Sequence, residues 1–108
     1  MNNILNIPSE EQIMSAQAAL SALANPHRMY LLNCMAEDAF TVGELAEKAE
    51  ISQPLCSAHL IRLKEAGLVR RIKTGRKRIY QIQPLCNSLI KCLNGLHFNL
   101  NTENDGNN

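Results

Sequence analysis

The stretch from Thr41 to Ile82, TVGELAEKAEISQPLCSAHLIRLKEAGLVRRIKTGRKRIYQI, decides the fold. Thr41 and Glu44 have capping-box spacing and open a short amphipathic helix through Leu45, Ala46 and Ala49. The isoleucine and serine that follow make a tight link. Ser52 can cap a second helix that carries Cys56, Leu60 and Leu63 on one stripe, and Gly67 stands where a left-handed residue closes it. Two helices joined by so few residues have helix-turn-helix geometry. Beyond Gly67, Leu68 to Lys73 is rich in β-formers at its ends, and Lys77 to Ile82 alternates through Ile79, Tyr80 and Ile82. Thr74, Gly75 and Arg76 are the expected turn of a hairpin.

Charge singles out the same region. Residues 62 to 78 hold eight of the eleven Lys and Arg (Arg62, Lys64, Arg70, Arg71, Lys73, Arg76, Lys77, Arg78) and one carboxylate, Glu65, although the formal net charge is only +1. Between Glu10 and Glu50 the balance reverses, with seven acids against Arg28 and Lys48. A cationic patch on an otherwise acidic body is aimed at a polyanion, and a helix followed by a basic hairpin is how many small domains grip duplex DNA.

The core stripe of the second helix leaves Gln53, Pro54, Ser57, Ala58 and Arg62 facing outward. These are mostly short, as a helix lying deep in a major groove requires. Gln53 offers a bidentate amide to adenine, Ser57 a hydroxyl to a base edge or phosphate, and Ala58 a methyl surface to thymine, with Arg62 better placed for phosphates. Lys73, Arg76, Lys77 and Arg78 would follow the sugar-phosphate backbone or the neighbouring minor groove without reading sequence.

Outward from this segment, Ser9 and Gln12 have capping-box spacing before a helical repeat of Ile13, Gln17, Leu20 and Leu23, predicting a helix from Ser9 to Ala24. Asn25 and Pro26 restart the chain as N-cap and first-turn proline of a buried helix that should end near Glu37. Pro84 opens a last helix with Leu85, Leu89, Cys92 and Leu96 on one stripe. The expected order is four helices, a hairpin and a helix. It divides into an N-terminal arm at 1–8, one domain at 9–98 and a disordered polar tail at 99–108.

The chain is 45 % hydrophobic with no Trp and few aromatic rings, which favours packed helices and argues against base stacking on exposed rings as a binding mode. At 108 residues a single domain would gain from burying apolar surface against a second copy. No run of about twenty apolar residues suggests a membrane span, and MNNILNIPSEEQ lacks a secretion signal, so the expected compartment is the cytoplasm. There Cys34, Cys56, Cys86 and Cys92 would be thiols.

The segment ALANPHRMYLLNCM and the stretch quoted at the outset together resemble the ArsR (arsenic-repressor-like) family of winged-helix regulators over about Ala19 to Ile82. The most specific part is Ser52, Gln53, Pro54, Ser57, His59, Leu60, Leu63, Gly67, Leu68 and Val69. The resemblance implies a mainly α winged helix-turn-helix with a small β-hairpin wing, a homodimer joined through its first and last helices, and repression from an inverted-repeat operator in double-stranded DNA. It adds Ser52 and His59 to the candidate DNA-contacting residues. At Ala58 many relatives carry a longer polar residue, so direct readout here should be thinner and DNA deformability should matter more.

Relatives of this kind often release DNA when a metal or oxidant binds. The resemblance places arsenic-type cysteines at the start of the third helix, where TVGELA has no sulfur. It places zinc-type ligands on the last helix, where Cys86 and His97 are candidates; eleven residues apart, about 16 Å along a helix, they could meet only across two chains. It places the dithiol of persulfide-type relatives at Asn33 and Asn99, which carry no sulfur. Cys34 and Cys56 remain candidates for a redox response, Cys56 because oxidation would thrust a polar group behind the reading helix. No cofactor is expected, and His27, His59 and His97 have no nucleophile-and-base arrangement that would mark an enzyme. The competing readings are a winged-helix module whose basic hairpin meets an acidic protein, and a thiol- or metal-responsive repressor of the same fold.

Overall fold

The computed structural model describes the backbone of residues 7–106 and the side chains of residues 7–95. Residues 1–6 of the expected arm at 1–8 and the side chains of Leu96, His97 and Asn99 lie outside the described residues. The first helix, α1 (Glu10–Leu23), starts as its capping box dictates. The Ser9 hydroxyl accepts from the Gln12 amide at 3.2 Å, and Gln12 Oε1 accepts from the Ser9 amide at 2.7 Å. In α2 (Pro26–Cys34) the Asn25 side chain accepts from the Arg28 amide.

Helix α2 stops at Cys34, short of the expected Glu37. The Ala36 amide reaches back only to Asn33, and the Asp38 carboxylate accepts from the Ala39 amide at 2.8 Å. Such local side-chain bonding offers the backbone an alternative to the helix ladder. The chain is thereby turned into β1 (Phe40–Thr41), a two-residue strand absent from the expected order. It pairs antiparallel with the hairpin, Phe40 opposite Tyr80 and Thr41 opposite Ile79.

The two central helices, α3 (Val42–Ala49) and α4 (Gln53–Glu65), end alike. After α3, Ile51 N–H donates to Ala46 carbonyl and Glu50 N–H to Glu47 carbonyl; after α4, Leu68 N–H donates to Leu63 and Gly67 N–H to Lys64. Both are Schellman closures that need one left-handed residue. Gly67 supplies it at φ 78°, and Glu50 supplies it at φ 56° despite carrying a Cβ. On α4, Cys56, Leu60 and Leu63 are fully buried beside Leu31, Leu32 and Leu45 of the neighbouring helices.

The wing is β2 (Val69–Thr74) and β3 (Lys77–Ile82), joined at Gly75, whose φ of 62° makes the two-residue reversal possible. The sheet order is β1-β3-β2. Gln83 N–H donates to Leu68 carbonyl at 2.9 Å and closes the sheet before α5 (Pro84–Gly106). Helix α5 runs past residue 99 to Gly106, where a tail was expected. Its core face is Cys86, Ile90 and Leu93. The stripe of Leu85, Leu89 and Cys92 faces away from the core, with Leu85 89 % exposed. Among the described residues, no helix is long and apolar enough to cross a membrane.

Candidate nucleic-acid interface

Helix α4 begins where Ser52 accepts the Leu55 amide at 3.2 Å, so the Ser52 hydroxyl serves as a cap on the exposed end. Gln53, Pro54, Ala58 and Arg62 are exposed and Ser57 is half-buried. Ile61, missed in the sequence, is 51 % exposed. It stands three and four residues after Ala58 and Ser57, a spacing that puts it on their face of the helix, and that spacing was the signal available. Gln53 lies at the edge of the face, against α3: a Cβ placed on Gly43 would be 3.4 Å from its Nε2.

His59 does not join this surface, and its place among the DNA-contacting candidates is corrected. It is 8 % exposed and completes an inward pattern of Cys56, His59, Leu60 and Leu63. Its Nδ1 lies 3.3 Å from Nη1 of Arg28, itself buried, whose Nε donates to the Ala22 carbonyl and whose Nη2 donates to the Ser21 carbonyl at 3.4 Å. Since the guanidinium only donates, Nδ1 must accept, which puts the imidazole proton on Nε2. Nε2 is buried without a partner, and the His27 ring stands 5.6 Å away. Burial, then Arg28, His27 and Arg62, hold the His59 pKa below that of a free imidazole. Burial and then Arg62 lower that of Arg28.

The wing cations Lys73, Arg76, Lys77 and Arg78 are all exposed, as are Arg70 and Arg71. Arg70 is tied to Gln81, its Nε and Nη2 donating to Oε1 at 3.2 and 2.8 Å. Glu44 is held below the usual carboxylate range by the hydrogen bonds from Thr41, with Lys77 and Lys48 adding to the effect.

The cysteines are dispersed. Cys56 and Cys86 are buried, and burial pushes both thiols up, away from the reactive thiolate; Cys34 adds to the shift at Cys56. Cys86 belongs to the core face of α5 and does not present its sulfur on the helix's outer stripe. Cys34 is half-buried and Cys92 exposed. Asn33 is engaged by Asn94, whose Nδ2 donates to its Oδ1 at 2.7 Å. Among the described residues no cluster of three or more His, Cys, Asp or Glu could hold a metal ion.

The family model for bacterial regulatory proteins of the arsR family matches residues 25–71, which run from the N-cap of α2 into the wing. The transcriptional activator HlyU of Vibrio cholerae is 33 % identical over 73 residues, 68 % of either chain. Its solved structure superposes with a TM-score of 0.73 at 30 % identity, covering 82 % of this chain and 97 % of that one. The chain belongs to the ArsR family.

The HTH-type transcriptional regulator Rv2034 of Mycobacterium tuberculosis is 39 % identical over 70 residues, and the match spans 65 % of each chain. The biofilm growth-associated repressor of Agrobacterium fabrum is 34 % identical over 73 residues, 68 % of this chain and 62 % of its own. These two matches thus span less than two thirds of the relatives' own lengths. ArsR proteins are transcriptional regulators rather than enzymes, and the winged helix-turn-helix expected from the sequence is the fold observed.

Proposed function

We propose that this ArsR-family protein is a sequence-specific regulator that binds double-stranded DNA as a homodimer and represses transcription from an inverted-repeat operator in the cytoplasm. One observation carries the reading. An exposed face of mostly short side chains on α4 adjoins a wing whose arginines and lysines, among the described residues, have little acidic compensation beyond Glu44. In this reading Gln53 meets an adenine edge, Ala58 and Ile61 present apolar surface to thymine methyls or sugars, and Ser57 and Arg62 bond base edge or phosphate. Ser52 and Pro54 fix the helix end in the groove.

The second copy is supported by apolar surface on both terminal helices. Ile13, Met14 and Leu20 of α1 are exposed, as are Leu85 and Leu89 of α5. Beside Leu85 and Leu89, Gly67 and Leu68 help to frame an apolar groove of about 430 Å³ that a partner's side chains would fill. Apolar faces of this kind are where association recovers hydrophobic free energy.

Binding of labelled promoter duplex, compared with random duplex across a salt series, tests the proposal. With about three to five phosphates neutralised per half-site, log affinity should fall against log salt with a slope on the order of −5 to −9. A binding constant indifferent to salt, or equal on promoter and random DNA, would instead favour the protein-interaction reading of the same wing.

A further inference from the structure

The register of the wing sorts its charges by face. Residues opposite each other in an antiparallel ladder project to the same side, and sides alternate along the strand. Val69 with Ile82, Arg71 with Tyr80 and Lys73 with Arg78 therefore share one face. Val69, Tyr80 and Ile82 are buried in the core, so Lys73 and Arg78 are the last pair of that face, carried out beyond the core's edge. On the opposite face Arg70 lies across from Gln81, which holds its guanidinium along the sheet.

Beyond the core's edge, Lys73, Arg78 and the turn residues Gly75 and Arg76 meet Thr41 and Val42 around an open groove of about 500 Å³. The amide and hydroxyl of Thr41 are already committed to Glu44. Among the described residues, Arg70 is the wing's one cation engaged by a side-chain hydrogen bond. Lys73, Arg76 and Arg78 thus line one groove, and the carboxylate bonded at its edge, Glu44, is engaged by Thr41; a polyanion would offset the repulsion among the three. The groove is also next to the reading residue. Thr41 and Val42 begin the turn of α3 whose Gly43 lies against the Gln53 amide.

We propose that this groove seats a single backbone phosphate of the duplex, the one flanking the base pair that Gln53 meets. The inference rests on the DNA-binding reading above and narrows it: Lys73 and Arg78 fix the register in which Gln53 reads, Arg76 adds attraction that is blind to sequence, and Arg70 takes no part in the seat.

The test uses the full chain and operator duplexes in which one phosphate at a time is replaced by a neutral methylphosphonate. Wild-type protein should lose about tenfold in affinity at one position per half-site, adjacent to the pair sensitive to Gln53→Ala, the loss expected of one charged contact. A Lys73→Gln/Arg78→Gln variant should bind unmodified DNA more weakly yet lose less than about twofold further at that position. Arg70→Gln should keep the wild-type loss at that position, whatever its affinity for unmodified DNA. The seat is refuted if the loss is spread evenly over many phosphates, if the double variant keeps the full loss, or if Arg70→Gln removes it. Each of those results would leave the DNA-binding reading intact. That reading fails separately, and the seat with it, if wild type shows no preference for operator over random duplex.

Discussion

The wing and the terminal helices are both surfaces that the fold leaves open, and they are opposites in chemistry. On the wing, exposed cations crowd together with little acidic compensation, whereas α1 and α5 present leucine, isoleucine and methionine. Like charge repels a second copy and attracts a polyanion; an apolar face has little attraction for phosphate and matches its own image across a twofold axis. The two exposures therefore call for two different occupants.

The largest effect should come from charging the apolar side. Leu85→Glu/Leu89→Glu should weaken self-association at least about a hundredfold by burying carboxylates against each other in the interface. Because Leu85 is 89 % and Leu89 39 % exposed in the single chain, the fold should survive. Sedimentation equilibrium and circular dichroism together check this. Unaltered association would mean that the apolar stripe is not where the copies meet.

On the reading side, Gln53→Ala should remove about 1 to 3 kcal/mol of discrimination at one base pair. Arg76→Ala should instead weaken operator and random duplex alike and flatten the salt slope by about 1 per subunit. Competition binding against single-base operator variants separates the two. Equal losses on specific and random DNA from Gln53→Ala would sink its assigned role.

Acid should act behind the reading face. The folded pKa of His59 is depressed by burial and by the positive groups Arg28, His27 and Arg62. Its stabilising contribution is therefore complete above the unfolded value of about 6.5 and is lost as pH falls through the folded pKa, by at most about 1.4 kcal/mol per pH unit. Protonation would also set a second cation 3.3 Å from the Arg28 guanidinium. Urea titrations between pH 7.5 and 5 should show a slope that His59→Gln reduces; an identical pH profile in the variant would contradict this account.

The smallest effect expected is a gain. Glu50 holds a left-handed backbone that costs little only for glycine, so Glu50→Gly should raise stability by about 0.5 to 1 kcal/mol. Denaturation midpoints at unchanged slope would measure it.

What was legible in the sequence was local. The caps at Ser9, Asn25, Thr41 and Ser52, and the reversals at Gly67 and Gly75, depend on neighbours within a few residues. The cationic hairpin was equally plain, because charge density needs no knowledge of the fold. What escaped notice depends on distant partners. Strand β1 exists because Phe40 and Thr41 pair with Tyr80 and Ile79, and two residues are too few to show a period. His59 was assigned outward on family likeness, although its spacing from Cys56 and Leu63 already pointed inward; its partner Arg28 is on another helix. The leucine stripe of α5 was plain, but only packing shows that Cys86 and Ile90, not Leu85 and Leu89, face the core.

Arg28 has one more consequence. Its guanidinium bonds the carbonyls that close α1 and reaches the ring that α4 turns inward, so the first helix and the reading helix share a single buried rivet. If two copies associate through α1 and α5 as proposed, a tilt of α1 would be expected to pull on α4 through that rivet, and the spacing of the two reading heads would then follow the posture of the seam.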